Sequence, residues 1–423
     1  MNKLSIKSAL KKIGFVLITW RLLLKLKRSL RKLFLENSIF YKINYINERM
    51  YNTYMTKVSY NHEIKVNPKT IKTVALIYSR MHFDPKNDEQ NKKYSQSSAA
   101  NIARNIYCVF SSHNVIYTDK DEKIDKVPKA DLVIGVVSQN FVKISRANPQ
   151  ALKILFLVNC HPLYRAEILL KESHELRRGL HRQECINSLF FLKAQKYADR
   201  LILIGNEFVK NTYIEYGSCP EKLFLINSGV NLENLTPNFS KRPDGKIRII
   251  YSASDLGIRK GLFRVIQYWE ALNFTSIHNV FELKIIGGGA TFNKEIEEFV
   301  RRFNNVEYLG WIDSTKQEYI NILQSSHIIL FPSLEEGQAG TVLEAMACGC
   351  VPIITEQSGI PITDREGFVI KDYTNTNEVI DYMNILSENK PLITTMSTRS
   401  RNYIEKNHDW KNFRENFIKI AYK

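Results

Sequence analysis

The N-terminal region of this 423-residue chain lacks any apolar run long enough to cross a bilayer. Its longest uncharged apolar stretch, residues 13–20, falls far short of the ~20 residues a spanning helix needs, and Arg21 ends it. No small-residue cleavage site follows, which argues against a secretory signal peptide. The six cysteines (Cys108, Cys160, Cys185, Cys219, Cys348, Cys350) contain no C-x-x-C pair and no metal-type array. Buried, reduced thiols in a cytosolic protein are therefore expected. Acidic residues are missing altogether from residues 1–35, which carry ten Lys or Arg. The net charge of +17 invites a nucleic-acid partner, but no recognisable nucleic-acid module accompanies it, and none is expected to bind.

What is present is unevenly distributed. Residues 1–60 hold thirteen basic and two acidic residues, so the remaining 363 residues carry only +6 of the net charge. Arg21, Lys25, Arg28 and Lys32 fall on one helical face, and Leu22, Leu26, Leu30 and Leu33 on another. A basic amphipathic helix of this kind favours an anionic membrane surface; the alternative is a helix packed on the body by its leucines. Residues 36–69 read as a connector. At this length two domains plus an appendage are expected.

From residue 70 onward apolar runs alternate with helical periodicity, the pattern of parallel α/β sheets. Strands are predicted at 73–78, 115–117, 132–136, 154–158, 247–252, 281–286, 306–311, 327–331 and 351–355, with a Pro/Gly-bearing linker at 235–245. Asp119 and Asp121 form a D-x-D that could hold a divalent metal, although the mixed charge of TDKDEKIDK favours a solvated loop. His161 follows a strand in the motif NCHP, where such folds place ligands; a structural histidine in a His-Pro turn is the other reading. Arg259 and Lys260 precede Gly261 and a helix, where cations suit a diphosphate or simply face solvent.

The most informative stretch is PSLEEGQAGTVLEAMACGCVPII, residues 332–354. It runs from a strand through a loop into a short helix at 341–347, so backbone N–H groups and a positive dipole end meet at the sheet's mouth. Glu336 in the loop and Glu344 in the first helical turn would both face an anionic ligand there. Alternatively, Glu344 complements the macrodipole and Glu335 and Glu336 are solvated loop acids.

This string resembles the EGFGxxxLEAMAxGxPV signature of glycosyltransferase family 4, retaining enzymes of the GT-B fold, with Glu336 and Glu344 on the two glutamates of its E-x7-E motif. The resemblance covers about residues 70–400 and is strongest over 247–361. It implies an α/β, GT-B architecture: two Rossmann-like doubly wound domains facing a cleft, plus the basic amphipathic N-terminal segment at 1–69. An acceptor domain would span 70–240, with a C-terminal helix at 401–423 packing back on it, and a nucleotide-sugar-binding domain 246–400. The implied activity is retaining transfer of a sugar from a nucleotide-sugar donor to a glycan or lipid-linked acceptor, in cell-surface polysaccharide biosynthesis. The enzyme would be cytoplasmic and peripheral on the inner face of the membrane.

In that reading Glu336 sits near the reacting carbon of the donor sugar, and His161 contacts the transferred sugar. Glu344 takes the ribose hydroxyls. The loop at Gly337 and the N–H groups of Gly340, Thr341 and Val342, with Lys260 and Arg259, receive the charge of the departing diphosphate. Trp311 is a base neighbour or core. With protein cations supplied, no cofactor and no metal is required. The chain departs from the family at Ser95–Ser98, where glycines are usual, and at Ser254-Asp255, where an arginine is expected. These departures leave a noncatalytic sugar-nucleotide-binding or scaffold protein of a membrane glycan-assembly complex as the alternative.

Overall fold

The chain's computed structural model describes residues 70–85, 97–175, 182–241, 243, 245–288 and 293–423. The expected amphipathic helix at 1–35, the connector to 69, and Ser95 and Gln96 lie outside the described residues.

Short β-branched and leucine-rich runs become two six-stranded parallel sheets. In the first, β1 (Thr73–Tyr78), β2 (Asn114–Asp119), β3 (Leu132–Gly135), β4 (Leu152–Leu157), β5 (Arg200–Ile204) and β6 (Leu223–Ile226) pair in the order β2-β1-β3-β4-β5-β6. Every residue of β3 and β4 is buried, as parallel strands must be when helices cover both faces. Those helices are α1 (Ser98–Val109), α2 (Gln139–Ala147), α3 (Pro162–Glu175), α4 (Arg182–Tyr197) and α5 (Glu207–Glu215). Their starts are written locally: Ser97, Ser138 and Asn206 accept from the amides of Ala100, Phe141 and Val209, capping donors the helix itself leaves unpaired.

The second sheet comprises β7 (Ile247–Asp255), β8 (Phe281–Gly288), β9 (Val306–Tyr308), β10 (Ile328–Phe331), β11 (Val351–Thr355) and β12 (Phe368–Ile370), ordered β12-β11-β10-β7-β8-β9. Its helices are α6 (Leu262–Leu272), α7 (Asn293–Arg302), α8 (Gln317–Ser325), α9 (Gly340–Ala347) and α10 (Thr376–Glu388). Each sheet thus builds its own doubly wound domain. Among the described residues no helix is long and apolar enough to cross a membrane.

The C-terminus corrects one expectation. Instead of a single helix packing on the first domain, α11 (Lys390–Asn407) and α12 (Trp410–Tyr422) are separate. Residues 401–407 belong to α11, whose Ile393, Met396 and Ile404 join the second domain's core. The chain then breaks at His408, which is buried; Val230 N donates to its carbonyl at 2.8 Å, and its Nδ1 lies 2.8 Å from Ser228 O. Asp409 caps α12, and Phe413, Phe417 and Ala421 dock against the first sheet beside Phe110 and Phe156. Burial of each phenylalanine contributes roughly 2–3 kcal/mol to that docking. The break exists because one straight helix cannot bury apolar faces on two domains.

Candidate active site

Strand order decides where the chemistry can be. In the second sheet β7 pairs with β10 (Ile249 opposite Ile328), with β8 and β9 continuing on one side and β11 and β12 on the other. The direction of winding reverses between β7 and β10, and the crevice beyond the carboxyl ends of such strands is where these folds take ligands. Arg259 and Lys260 follow β7; residues 332–339 follow β10. At Gly261 the backbone is left-handed (φ +78°), and a Cβ there would lie 2.0 Å from Pro332 O, so only glycine lets the two loops close on each other. Leu334 N (2.9 Å) and Ser333 Oγ (3.1 Å) then both donate to Arg259 O.

That contact brings together residues 76 positions apart. Lys260 Nζ meets Glu336 Oε1, with Arg259 Nη1 at 3.0 Å and Ser333 Oγ at 3.2 Å from the same oxygen. Glu336 is 6% exposed. Burial works to raise its pKa, but Lys260 and Arg259 outweigh it and hold the carboxyl at about 2. For Lys260 burial wins, lowering its pKa despite the attraction of Glu336. Neither Glu335 nor Glu336 is a solvated loop acid.

Glu344, one turn into α9, sits differently. It lines a cavity of about 560 Å³ between the domains, within the range of small-molecule sites. Ser98, Asn101, Ser228 and Asn231 supply the first domain's wall; Thr315, Gln338, Gly340 and Glu344 supply the second's. Tyr319 OH donates to Glu344 Oε2 at 3.1 Å and lies 3.2 Å from Thr341 Oγ1. Burial pushes the Glu344 carboxyl up to about 7, the Tyr319 hydroxyl opposing. Gly340 is tight against Ser98, whose Oγ lies 2.7 Å from where a Cβ would stand.

Other expected site residues are placed less simply. The Val342 side chain is buried and its N–H donates to Ala339 O at 3.0 Å, so that amide is already committed within the helix. Trp311 is 60% exposed and packs on Gly288, so it is neither core nor cavity wall. His161 is the clear correction. It is fully buried, stacked on Tyr216 (5.1 Å, 7°) and edge-on to Phe191 and Tyr213. Leu163 N donates to its Nδ1 at 3.1 Å, and burial lowers its pKa to about 3. It packs with the first domain's core residues Phe191 and Tyr213 and does not line the cavity.

Asp119 caps its own loop, its Oδ1 accepting from Asp121 N at 2.8 Å and Glu122 N at 3.2 Å. Among the described residues no group of three or more His, Cys, Asp or Glu could hold a metal. Cys108, Cys160, Cys219, Cys348 and Cys350 are free; Cys160, Cys348 and Cys350 are buried, but Cys108 is exposed.

Sequence reasoning missed the residues that join the domains here. Glu335, fully buried, accepts from Cys160 N and Arg165; Gln338 reaches Asn227 and Ser228; Arg264 pairs with Glu172 at 2.7 Å. The partners in these contacts are 92 to 175 positions apart, and no local pattern signals such pairs.

Residues 236–407 match the family model described as glycosyl transferases group 1. That match spans the second domain. Among curated proteins, the chain is 27% identical over 166 residues to a phosphatidylinositol N-acetylglucosaminyltransferase component of Arabidopsis thaliana, covering 38% of this chain and 36% of that protein. It is 26% identical over 238 residues to the UDP-Gal:alpha-D-GlcNAc-diphosphoundecaprenol alpha-1,3-galactosyltransferase of Escherichia coli, covering 50% of this chain and 57% of that one. The chain therefore spans about a third and somewhat over half of these relatives' lengths. The solved structure of WaaG, a glycosyltransferase involved in lipopolysaccharide biosynthesis, superposes with a TM-score of 0.53 at 16% identity, over 82% of this chain and 99% of that one. The two facing doubly wound domains are a GT-B fold, with the group 1 domain carrying Glu336, Glu344 and Lys260.

Proposed function

We propose that the chain is a retaining glycosyltransferase that moves a sugar from a nucleotide-sugar donor to a glycan or lipid-linked acceptor in cell-surface polysaccharide biosynthesis. The observation that carries this reading is the contact of Lys260 with Glu336 at the switch crevice of a group 1 domain, beside a cavity lined by Glu344. The UDP-galactose donor of the Escherichia coli relative supports a UDP-sugar.

In this reading Glu344 accepts from the ribose hydroxyls. The amides of Gly340 and Thr341, with Lys260 and Arg259, take the charge that grows on the departing diphosphate. Stabilising charge only as it develops is what accelerates the step, and with two protein cations at hand no metal or cofactor is required. Glu336 then faces the donor sugar near its reacting carbon. Residues 1–35 hold the enzyme at an anionic, cytoplasmic membrane surface, which brings it to lipid-linked acceptors.

A panel of UDP-, GDP-, ADP- and TDP-sugars in a thermal-shift assay tests the donor: one should raise the melting temperature by linkage, and no shift with any would refute the reading. The burial of His161 removes one expected sugar contact and favours a binding-only protein. Donor binding without transfer or donor hydrolysis would establish that alternative.

A further inference from the structure

The loop between β10 and α9 belongs to the second domain, yet all four consecutive residues 335–338 are held by the first. Glu335 is fully buried, and its carboxylate accepts from Cys160 N at 2.9 Å and from Arg165 through Nε at 2.9 Å and Nη2 at 3.1 Å. Gly337 has no room for a side chain: a Cβ would lie 2.2 Å from Val158 O and 2.8 Å from Ile204 O, at the ends of β4 and β5. Gln338 accepts from Ser228 N and donates to Asn227 Oδ1, both at 2.7 Å. The Glu336 carbonyl accepts from Cys160 Sγ at 3.2 Å, while its carboxylate turns back toward Lys260 and Arg259.

Arg259 stands between the two carboxylates, its Nη1 3.0 Å from Glu336 Oε1 and 3.5 Å from Glu335 Oε2. A buried carboxylate must be neutralised, and a two-pronged arginine contact does so with fixed geometry. With Arg165 on Glu335, Arg259 is available to Glu336 and to a diphosphate. Without Arg165, Glu335 draws the Arg259 guanidinium toward itself, and the backbone that aims Glu336 loses its anchor on the first domain.

We propose that Arg165, acting through Glu335, is a positioning residue that sets Glu336 and Arg259 for the reaction only while the first domain is docked on this loop. The proposal rests on the glycosyltransferase reading above for its activity readout, but its contact can be measured without it.

The test uses the full chain with R165M, R165K and the apolar pair R165M/E335L. In R165M kcat should fall by about 100-fold, the scale of a misplaced reacting group, while the donor KM stays within about twofold because Arg165 does not touch the donor. R165K should recover part of kcat. Replacing the whole buried pair by apolar groups restores stability in many proteins, so R165M/E335L should regain its melting temperature and not its kcat. By hydrogen exchange, the Cys160 amide should lose protection in R165M. Wild-type kcat in folded R165M, or recovery of kcat together with melting temperature in the double variant, would overturn the proposal. Should the wild type turn over no nucleotide sugar, the function fails on its own; unchanged protection of the Cys160 amide in R165M would then overturn the clamp as well, and lost protection would uphold it.

Discussion

Replacing Glu344 with glutamine should stabilise the protein above neutral pH, although it removes a residue assigned to the donor. The carboxyl is raised by burial from 4.5 to about 7. Below pH 4.5 both folded and unfolded states carry the proton, so the group adds nothing to the pH dependence. Between 4.5 and 7 the unfolded chain releases its proton while the folded protein keeps it, so stability falls as pH rises. Above 7 the folded state bears a desolvated charge. At about 1.4 kcal/mol per decade of pKa, the full cost reaches up to about 3 kcal/mol, an upper figure because the side chain is only part-buried. Glutamine carries no charge and can still accept from Tyr319 through its side-chain oxygen, so Glu344→Gln avoids that cost.

Urea unfolding of wild type and Glu344→Gln at pH 4.5, 6, 7 and 8 measures this directly. The difference should grow from near zero at the lowest pH toward about 3 kcal/mol at the highest, while nucleotide-sugar affinity is lost. A residue that costs stability in the empty site and is needed in the filled one is the trade-off expected of a binding group. A difference that is flat with pH, or a less stable variant at pH 8, would refute the account of Glu344.

The neighbouring glutamate should behave oppositely: Glu336→Gln leaves Lys260 and Arg259 without their carboxylate and should destabilise by about 3 kcal/mol at pH 7, read by the same unfolding experiment, as well as abolish transfer. Because Glu336 is held at about 2, its contribution is present above pH 4.5 and lost only as pH falls toward 2; wild type and variant should therefore converge in strong acid. Gly337→Ala places a methyl 2.2 Å from Val158 O, so it should spread the domain contact and cut kcat by about 100-fold while each domain stays folded by circular dichroism. Deleting residues 1–35 should lower flotation with anionic vesicles and spare turnover on a soluble acceptor; retained flotation would place the anchor elsewhere.

Much of the fold was legible because parallel strands are short, apolar and bounded by turn residues. Leu132–Gly135 and Val351–Thr355 read directly as buried strands, and β7 ran on to Asp255 beyond its expected end. The pairing of Lys260 with Glu336 could be anticipated only through resemblance, since adjacency of β7 and β10 is a property of strand order, not of either segment. His161 misled because sitting after a strand does not fix which way a ring points. Aromatic neighbours at Phe191, Tyr213 and Tyr216 surround it, and burial there keeps the imidazole neutral. The break before α12 was hidden because its apolar spacing continues that of α11 almost without interruption.

The two glutamates eight positions apart show how one short segment can hold two carboxylates in opposite electrostatic states. Glu336 leaves the strand end beside Lys260 and Arg259, where burial strengthens attraction to fixed cations and keeps the charge. Glu344 begins a helix against Tyr319 and the cavity wall, where burial meets one hydroxyl and works against the charge. The cations near Glu336 are therefore engaged by its carboxylate, and under the proposed function a diphosphate would compete with it for them. Glu344 gains from any hydroxyl a ligand offers. Under the proposed function, anion binding would loosen Glu336 from Lys260 while ribose hydroxyls settle Glu344, so the donor's two ends would act on two differently prepared carboxylates. Under the proposed function, the charge on Glu336 would become available to the donor sugar only after the diphosphate has drawn Lys260 and Arg259 away from it.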